Sequence, residues 1–314
     1  MVARKAILAS LRGTDKTSNI GFGCSGGADS LALLAALSTI YHGDFSRQVH
    51  VIIVDHQLQE ITSEISKNVS SLAKSYGFTP VIIPVDIAST SDGMESDARK
   101  ARYNAFEEAI QKYSLKSFLI GHTKTDQAEQ VFLGLLRGSG TRSLAGIREN
   151  RGIYKRPFLN SMSREDTQKV CEENNLDYWC DPHNDVLEYK RVSVRKMIKN
   201  VEKSTGQDIV NPLVRTAQIS AEDAEALDFY AEMAYEKAEQ SDWTIEVLSK
   251  MPVAVRKRIY RTKMIAMGTK TDTVGFDMVN KVDDFIVNWH GQKHICASNN
   301  VRIKRVKNKL VFEN

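Results

Sequence analysis

Seven residues, Cys24-Ser25-Gly26-Gly27-Ala28-Asp29-Ser30, separate a short apolar run at 20–23 from a leucine stripe at Leu31, Leu34 and Leu37. The change from a strand-like run to helical spacing puts a sharp strand-to-helix turn at the two glycines, which can take backbone conformations closed to other residues. Such a turn presents the unpaired N–H groups of a first helical turn to the space beyond the strand end, and that is a site for an anion. Gly26 and Gly27 let a ligand approach the backbone, and Ser25 and Ser30 add hydroxyl donors. Pyrophosphate is the natural guest. A Walker-type loop carries a Lys before its last Ser or Thr; here that position is Asp29, whose carboxylate suits a metal ion.

The rest of the first two hundred residues keeps switching between the two periodicities. Strands are expected at 20–23, 49–54, 81–85 and 116–120, with helical stripes through Leu31, Leu34, Leu37 and Tyr41 and through Ile65, Val69, Leu72 and Tyr76. This predicts an α/β fold: a parallel sheet with helices on both faces, right-handed crossovers, and ligand sites beyond the carboxyl ends of the strands. The polar segments fall there, with Asp55-His56 after the second strand and Gly121-His122 after a later one. Beyond about residue 200 the texture changes. An acidic stretch with Ile219, Ala226, Tyr230 and Met233 on one stripe reads as a connecting helix. Helices follow near 255–267 and 277–288, then two short strands, 301–306 and 309–312, joined by a turn. The expected division is 1–205 for the α/β domain, 206–240 for the connecting helix and 241–314 for a small, mainly helical C-terminal domain ending in a β-hairpin.

With 42% hydrophobic and 26% charged residues the composition is that of a globular protein, and no apolar run nears the roughly 18–20 residues of a membrane span. A cytoplasmic location is expected. The four cysteines, Cys24, Cys171, Cys180 and Cys296, have no Cys-x-x-Cys spacing and are expected to be reduced thiols. A net charge of +4 over 314 residues decides nothing by itself, but the basic residues cluster. Arg137, Arg142, Arg148, Arg151, Lys155 and Arg156 face only Glu149 in their segment; Arg256, Lys257, Arg258 and Arg261 form a second cluster; Arg302, Lys304, Arg305, Lys307 and Lys309 form a third. Clusters of this kind can hold a polyphosphate backbone.

Three further segments carry chemistry. His122-Thr123-Lys124-Thr125-Asp126-Gln127-Ala128-Glu129 leads into an apolar helix, with Thr125 a possible cap, and its polar groups can hold Mg²⁺, accept a proton or orient a nucleophile. Glu95 to Tyr103 places Arg99, Arg102 and Tyr103 within one helical turn, and arginine forks bind phosphate bidentately. Asp181-Pro182-His183-Asn184 is a Pro-centred turn ahead of a basic segment with Tyr189, Arg191 and Arg195.

Ser-Gly-Gly-x-Asp-Ser resembles the PP-loop of the ATP pyrophosphatases, and the whole series resembles the tRNA(Ile)-lysidine synthetase family over roughly residues 20–200. Its counterparts here are Ser25 to Ser30, Glu95 to Tyr103, His122 with Asp126 to Glu129 into Leu135 to Gly140, Arg156-Pro157, and Asp181 to Asn184 with Tyr189 and Arg191. Two positions depart from the pattern: the usual acid pair before Gln is Thr125-Asp126, and the Asn-Arg that often follows Tyr-x-Arg is Val192-Ser193.

The resemblance implies ATP and Mg²⁺ as cofactors, free L-lysine and an isoleucine tRNA with a CAU anticodon as partners, and no membrane; a homodimer is left open. It implies that Cys24, Ser25, Gly26, Gly27, Ala28, Asp29, Ser30, Asp55 and His122 bind ATP, with Asp29 at the metal. Asp29, Arg102, Asp126, Glu129 and Arg191 would be catalytic. Arg99, Arg137, Arg142, Arg148, Arg195, Arg256 and Arg258 would hold the tRNA. The alternatives are a PP-loop tRNA thiolase, a small-molecule adenylating relative, and an RNA-binding protein that keeps the nucleotide fold.

Overall fold

The computed structural model describes residues 1–41, 48–55, 60–86, 94–180 and 190–314, with backbone only at 60, 61, 94 and 95. His56, the Asp181-Pro182-His183-Asn184 turn and Tyr189 lie outside the described residues, as does the side chain of Glu95. The chain forms two compact units, Met1–Ile219 and Ser220–Asn314.

In the first unit α1 (Val2–Ser10) precedes β1 (Ile20–Gly23), α2 (Ala28–Tyr41), β2 (Val49–Asp55), α3 (Glu60–Ser75), β3 (Thr79–Pro84), α4 (Met94–Lys112) and β4 (Ser117–Leu119). Then come α5 (Lys124–Leu136), α6 (Thr141–Leu144), β5 (Asn150–Arg151), β6 (Tyr154–Lys155), α7 (Arg164–Glu173) and α8 (Lys190–Thr205). The sheet runs β3-β2-β1-β4-β6-β5, parallel except for β5. The four strands expected from periodicity are all there; β5 and β6, two residues each, are too short to leave a periodic signal. Pro80 and Pro84 sit in β3, the edge strand, where a missing N–H does least harm.

The sheet is covered on both faces. Val49, Val51 and Ile53 of β2 point into a core with α1, α2, α3 and α7, while Ile52 and Val54 alternate onto Phe106 and Ala109 of α4. Because β1 lies between β2 and β4, the chain leaves it in opposite directions on its two sides, and the crevice at that reversal is where ligands of open α/β sheets bind.

α9 (Val210–Gln240) is one helix crossing the division between the units. Its buried face runs through Ala217, Ala224, Ala231 and Ala238, whereas Ile219, Tyr230 and Met233 of the anticipated stripe are more than half exposed. The seven-residue alanine spacing carries the packing, and small side chains hide it from a reading keyed to large apolar ones.

The second unit adds α10 (Ile245–Ser249), α11 (Val253–Ala266), α12 (Phe276–Val287), β7 (Ile295–Cys296), β8 (Arg302–Val306) and β9 (Lys309–Glu313). The expected hairpin is β8–β9, and β7 extends it to a three-stranded antiparallel sheet. Trp243, Leu248, Ile259, Tyr260, Phe285 and Ile303 form its core.

Candidate active site

The glycine loop closes β1 onto α2 as the sequence requires. Gly26 has φ +82°, and a Cβ there would sit 2.6 Å from Ile65, so only glycine fits. The loop is tied down from behind: Trp179 N–H donates to Gly26 O at 3.0 Å. Ser30 Oγ donates to Gly27 O (2.9 Å) and accepts from Ser25 N–H (3.2 Å), so this hydroxyl braces the turn, and Ser30 also lines the cavity beyond it. Cys24 is buried beneath the loop, and burial raises its thiol pKa. Gly121, at the end of β4, lies so close that an added Cβ would be 2.9 Å from the Asp29 carbonyl. That approach brings the His122 loop alongside the glycine loop.

Beyond these strand ends opens a cavity of about 390 Å³, within the usual range for small-ligand sites. Ser25, Gly27 and Asp29 form one wall, His122 and Asp126 another, and Arg99, Arg102, Arg164 and Arg191 bring four guanidinium groups. Arg99 and Arg102 are exposed at the rim, with Arg99 stacked 5.1 Å from the Tyr103 ring. Asp55 is not among the lining residues: its carboxylate accepts from the Thr62 and Ser63 hydroxyls, and Val54 and Thr62 line the wall instead.

Asp29 is held by the Thr167 hydroxyl at 2.5 Å, and burial together with nearby Asp126 lifts its pKa to about 6. Asp126 folds back to accept from Thr123 N–H (2.7 Å) and Thr123 Oγ1 (3.0 Å), and both bonds use Oδ2. Thr123, not Thr125, is therefore the cap of α5; Thr125 Oγ1 instead accepts from Arg164 N–H at 3.2 Å. His122 lies in the loop before the helix, and its Nδ1 accepts from Arg156 Nε at 3.0 Å.

A second cavity, about 250 Å³, lies against α5 and α8, which also contribute to the first. Glu129 and Arg195 line it, together with Lys124, Glu165, Lys199, Glu202 and Asp208. Glu129 is 2% exposed and accepts from Arg195 Nε at 2.6 Å, but its Oε2 is buried with no partner. Burial raises the Glu129 pKa against the pull of Arg195. Asp126 and Glu129 are thus three residues apart on α5, and Arg191 and Arg195 four apart on α8. The first of each pair lines the larger cavity and the second lines the smaller.

The profile of the PP-loop domain family matches residues 2–202. The tRNA(Ile)-lysidine synthase of Thermobifida fusca is 34% identical over 297 residues, covering 94% of this chain and 91% of that protein. That of Streptomyces coelicolor is 36% identical over 92% of this chain and 83% of its own length, and that of Leifsonia xyli is 37% identical over 92% and 88%. The chain belongs to the tRNA(Ile)-lysidine synthase family. A PP-loop domain binds ATP, and the 390 Å³ cavity beside the glycine loop has the size and the guanidinium groups for it. Among solved structures, the U34-tRNA thiolase NcsA from Methanococcus maripaludis with its 4Fe-4S cluster aligns with a TM-score of 0.57 at 17% identity, covering 69% of this chain and 77% of that one. This is a likeness of fold.

The remaining expected site residues separate by environment. Arg137, Arg142 and Arg148 are exposed, as a surface for phosphates requires. Arg195 is taken up by Glu129, and Arg258 donates to Asp228 at 3.0 Å. Arg256 is 5% exposed and paired bidentately with Asp283 at 2.6 and 2.9 Å, so it joins α11 to α12 and is not offered to RNA. Sequence reasoning missed Arg164, Thr167 and Trp179 as parts of the site. The Ser163–Asp166 capping box announced the start of α7, but no local signal aims Arg164 and Thr167 at Asp29. Among the described residues no group of three or more His, Cys, Asp or Glu side chains forms a metal cage. Among the described residues no helix is long and apolar enough to cross a membrane.

Proposed function

We propose that the chain joins the ε-amine of free L-lysine to C2 of the wobble cytidine in the CAU anticodon of isoleucine tRNA, with ATP converted to AMP and diphosphate. The observation that carries this reading is the pair of cavities divided by α5 and α8, each lined by one carboxylate of α5 and one arginine of α8. A two-stage reaction with a large anionic substrate and a small zwitterionic one calls for that division. The larger, arginine-rich cavity suits ATP and the base. The smaller, with acids and cations interspersed, suits an amino acid.

The cytosine O2 belongs to an amide-like system and is a poor leaving group. Attack of O2 on the α-phosphorus of ATP expels pyrophosphate and turns that oxygen into part of a phosphate ester. Attack of the lysine amine on C2 then releases AMP. The loop amides of Gly27 and the start of α2 receive the developing charge on the phosphates, and Arg102, Arg164 and Arg191 neutralise more of it. Mg²⁺ fits the residues present: it usually binds through one or two carboxylates plus phosphates and water, and Asp29, with Asp126 close enough to raise its pKa, supplies such carboxylates. When bound there it would supply charge to the departing pyrophosphate.

The attacking amine must be neutral, whereas its reference pKa is about 10.4. Glu129 would take that proton: its raised pKa makes it a better base, and its unpartnered Oε2 supports the role of acceptor. Asp126 stands on the other side of the partition and orients the groups that meet there. The base is reached in an anticodon loop, where unstacking costs little, and Arg137, Arg142 and Arg148 hold the backbone.

Incubation with ATP, labelled lysine and a CAU-anticodon isoleucine tRNA is expected to put label into the wobble nucleotide and nowhere else. AMP formation without label transfer would overturn the reading. The thiolase alternative gains nothing from Cys24 and Cys171, which are buried.

A further inference from the structure

We propose that Arg156 is a positioning residue that holds His122 as a neutral imidazole protonated on Nε2, so that His122 serves the reaction as a hydrogen-bond donor and never as an acid or a base. A guanidinium has only donors and stays charged at any relevant pH. Because Arg156 Nε points at His122 Nδ1 from 3.0 Å, that nitrogen must present its lone pair, and the single ring proton resides on Nε2. A second proton on Nδ1 would place two N–H groups head to head.

The surroundings agree. Arg156 is 4% exposed, and its other donors reach the Arg148 carbonyl at 2.9 Å and the Tyr103 hydroxyl at 3.4 Å. All three acceptors are neutral, so the buried cation keeps its field instead of spending it on a carboxylate. The charged groups around His122 are Asp126 on α5, Arg156 after β6, Arg99 on α4 and Arg191 on α8; Asp29, Arg102 and Arg164 share its cavity. Burial lowers the His122 pKa to about 4, the three arginines act in the same direction, and Asp126 alone opposes them. The imidazole is therefore neutral across the whole range in which an enzyme of this kind works. Its acceptor is an anionic oxygen of the nucleotide held by the glycine loop, and this last point alone rests on the ATP reading above.

The test begins with the unmodified full-length protein, labelled with ¹⁵N-histidine and free of ATP. The His122 resonance is assigned by its loss in His122→Gln. The expected spectrum is that of the Nε2–H tautomer, unmoved between pH 5.5 and 8. An Nδ1–H tautomer, or conversion to imidazolium between pH 6 and 7, overturns the proposal without touching the lysidine reading. In Arg156→Gln, His122 is expected to lose the fixed tautomer and to populate both Nδ1–H and Nε2–H forms, while burial, Arg99 and Arg191 still hold its pKa below the ordinary value. An unchanged spectrum there would place the fixing group elsewhere and also overturn it.

Kinetics gives an independent arm. A Gln amide can donate from nearly the place of Nε2, so His122→Gln is expected to keep adenylation within about tenfold of the parent, with the same pH profile. Loss of the roughly 10²–10⁴-fold typical of a missing acid or base, together with a vanished limb of that profile, would overturn the donor role.

Discussion

Two Arg–carboxylate pairs, one in each unit, share a 2.6 Å separation and differ in everything else. Arg256 and Asp283 are joined by a second bond at 2.9 Å, and Arg256 Nη1 also donates to the Met251 carbonyl at 3.2 Å. Arg195 and Glu129 are joined through Arg195 Nε and Oε1, while Glu129 Oε2 is buried and empty-handed. A buried acceptor left without a partner costs about 1–3 kcal/mol, and nothing in the folding of α5 and α8 requires that arrangement. The satisfied pair is explained by the fold. The unsatisfied one is what the proposed lysine site would account for.

If that contrast holds, the pair in the second unit should carry the largest stability effect. Asp283→Ala leaves the Arg256 guanidinium buried without its counter-charge, and breaking such a pair typically costs about 3–5 kcal/mol. Urea unfolding should show a loss of that size in the transition of this unit. A loss below about 1 kcal/mol would mean that the pair is not the structural fastening described.

Next in size is Asp29→Asn, which should act in opposite directions on activity and stability. Losing the carboxylate at the phosphate end of the cavity is expected to reduce adenylation about 10²–10³-fold, the usual scale for one preorganised electrostatic group. The fold should gain. Asp29 titrates near 6 instead of 3.8, so folding favours its protonated form; that contribution is complete below about pH 4 and is lost as pH rises through 6. At pH 7.5 the ionised, desolvated carboxylate is a burden that Asn does not carry, and the ligand-free variant should be more stable by on the order of 1–3 kcal/mol. A thermal scan showing a lower midpoint for Asp29→Asn would contradict this.

Glu129→Gln should have a smaller and more selective effect. Adenylation of the tRNA, followed without lysine, should stay within about threefold, and transfer of labelled lysine should fall about 10²-fold, the low end for a proton acceptor. Equal loss in both half-reactions would break the division of labour between the two cavities.

The nucleotide side of this architecture is legible in sequence because it is local. The glycine loop, the strand ends at 23, 55 and 119 and the Asp126-to-Glu129 helix each announce themselves within ten residues, through periodicity and turn chemistry. The smaller cavity is not, since it is assembled from α5, α7, α8 and the start of α9, and only the last two of these walls are neighbours in sequence. Arg195 and Arg256 mislead for the same reason. A basic residue on a helix looks identical in sequence whether it meets water or a buried acid more than twenty residues away. The alanine face of α9 shows the complementary failure, with packing carried by side chains too small to register as apolar.

The smallest expected effect separates surface arginines from sealed ones. Arg137, Arg142 and Arg148 project from the segment that Gln127 anchors through Ile147 N–H (2.7 Å) and the Ile147 carbonyl (3.1 Å), so the loop stays put when one guanidinium is removed. Removing one cation that neutralises a phosphate should lower the slope of log affinity against log salt by about 0.7–0.9. Arg148→Ala should therefore weaken tRNA binding only a few-fold at moderate salt and flatten the salt dependence by that increment, while the base-modifying step keeps its rate at saturation. Arg256→Met, which removes the same charge from a residue that water does not reach, should leave the slope unchanged in the fraction of protein that remains folded. Filter binding over a salt series tests both at once: equal flattening by the two substitutions would show that Arg256 reaches phosphate after all, and that its pair with Asp283 opens when RNA binds.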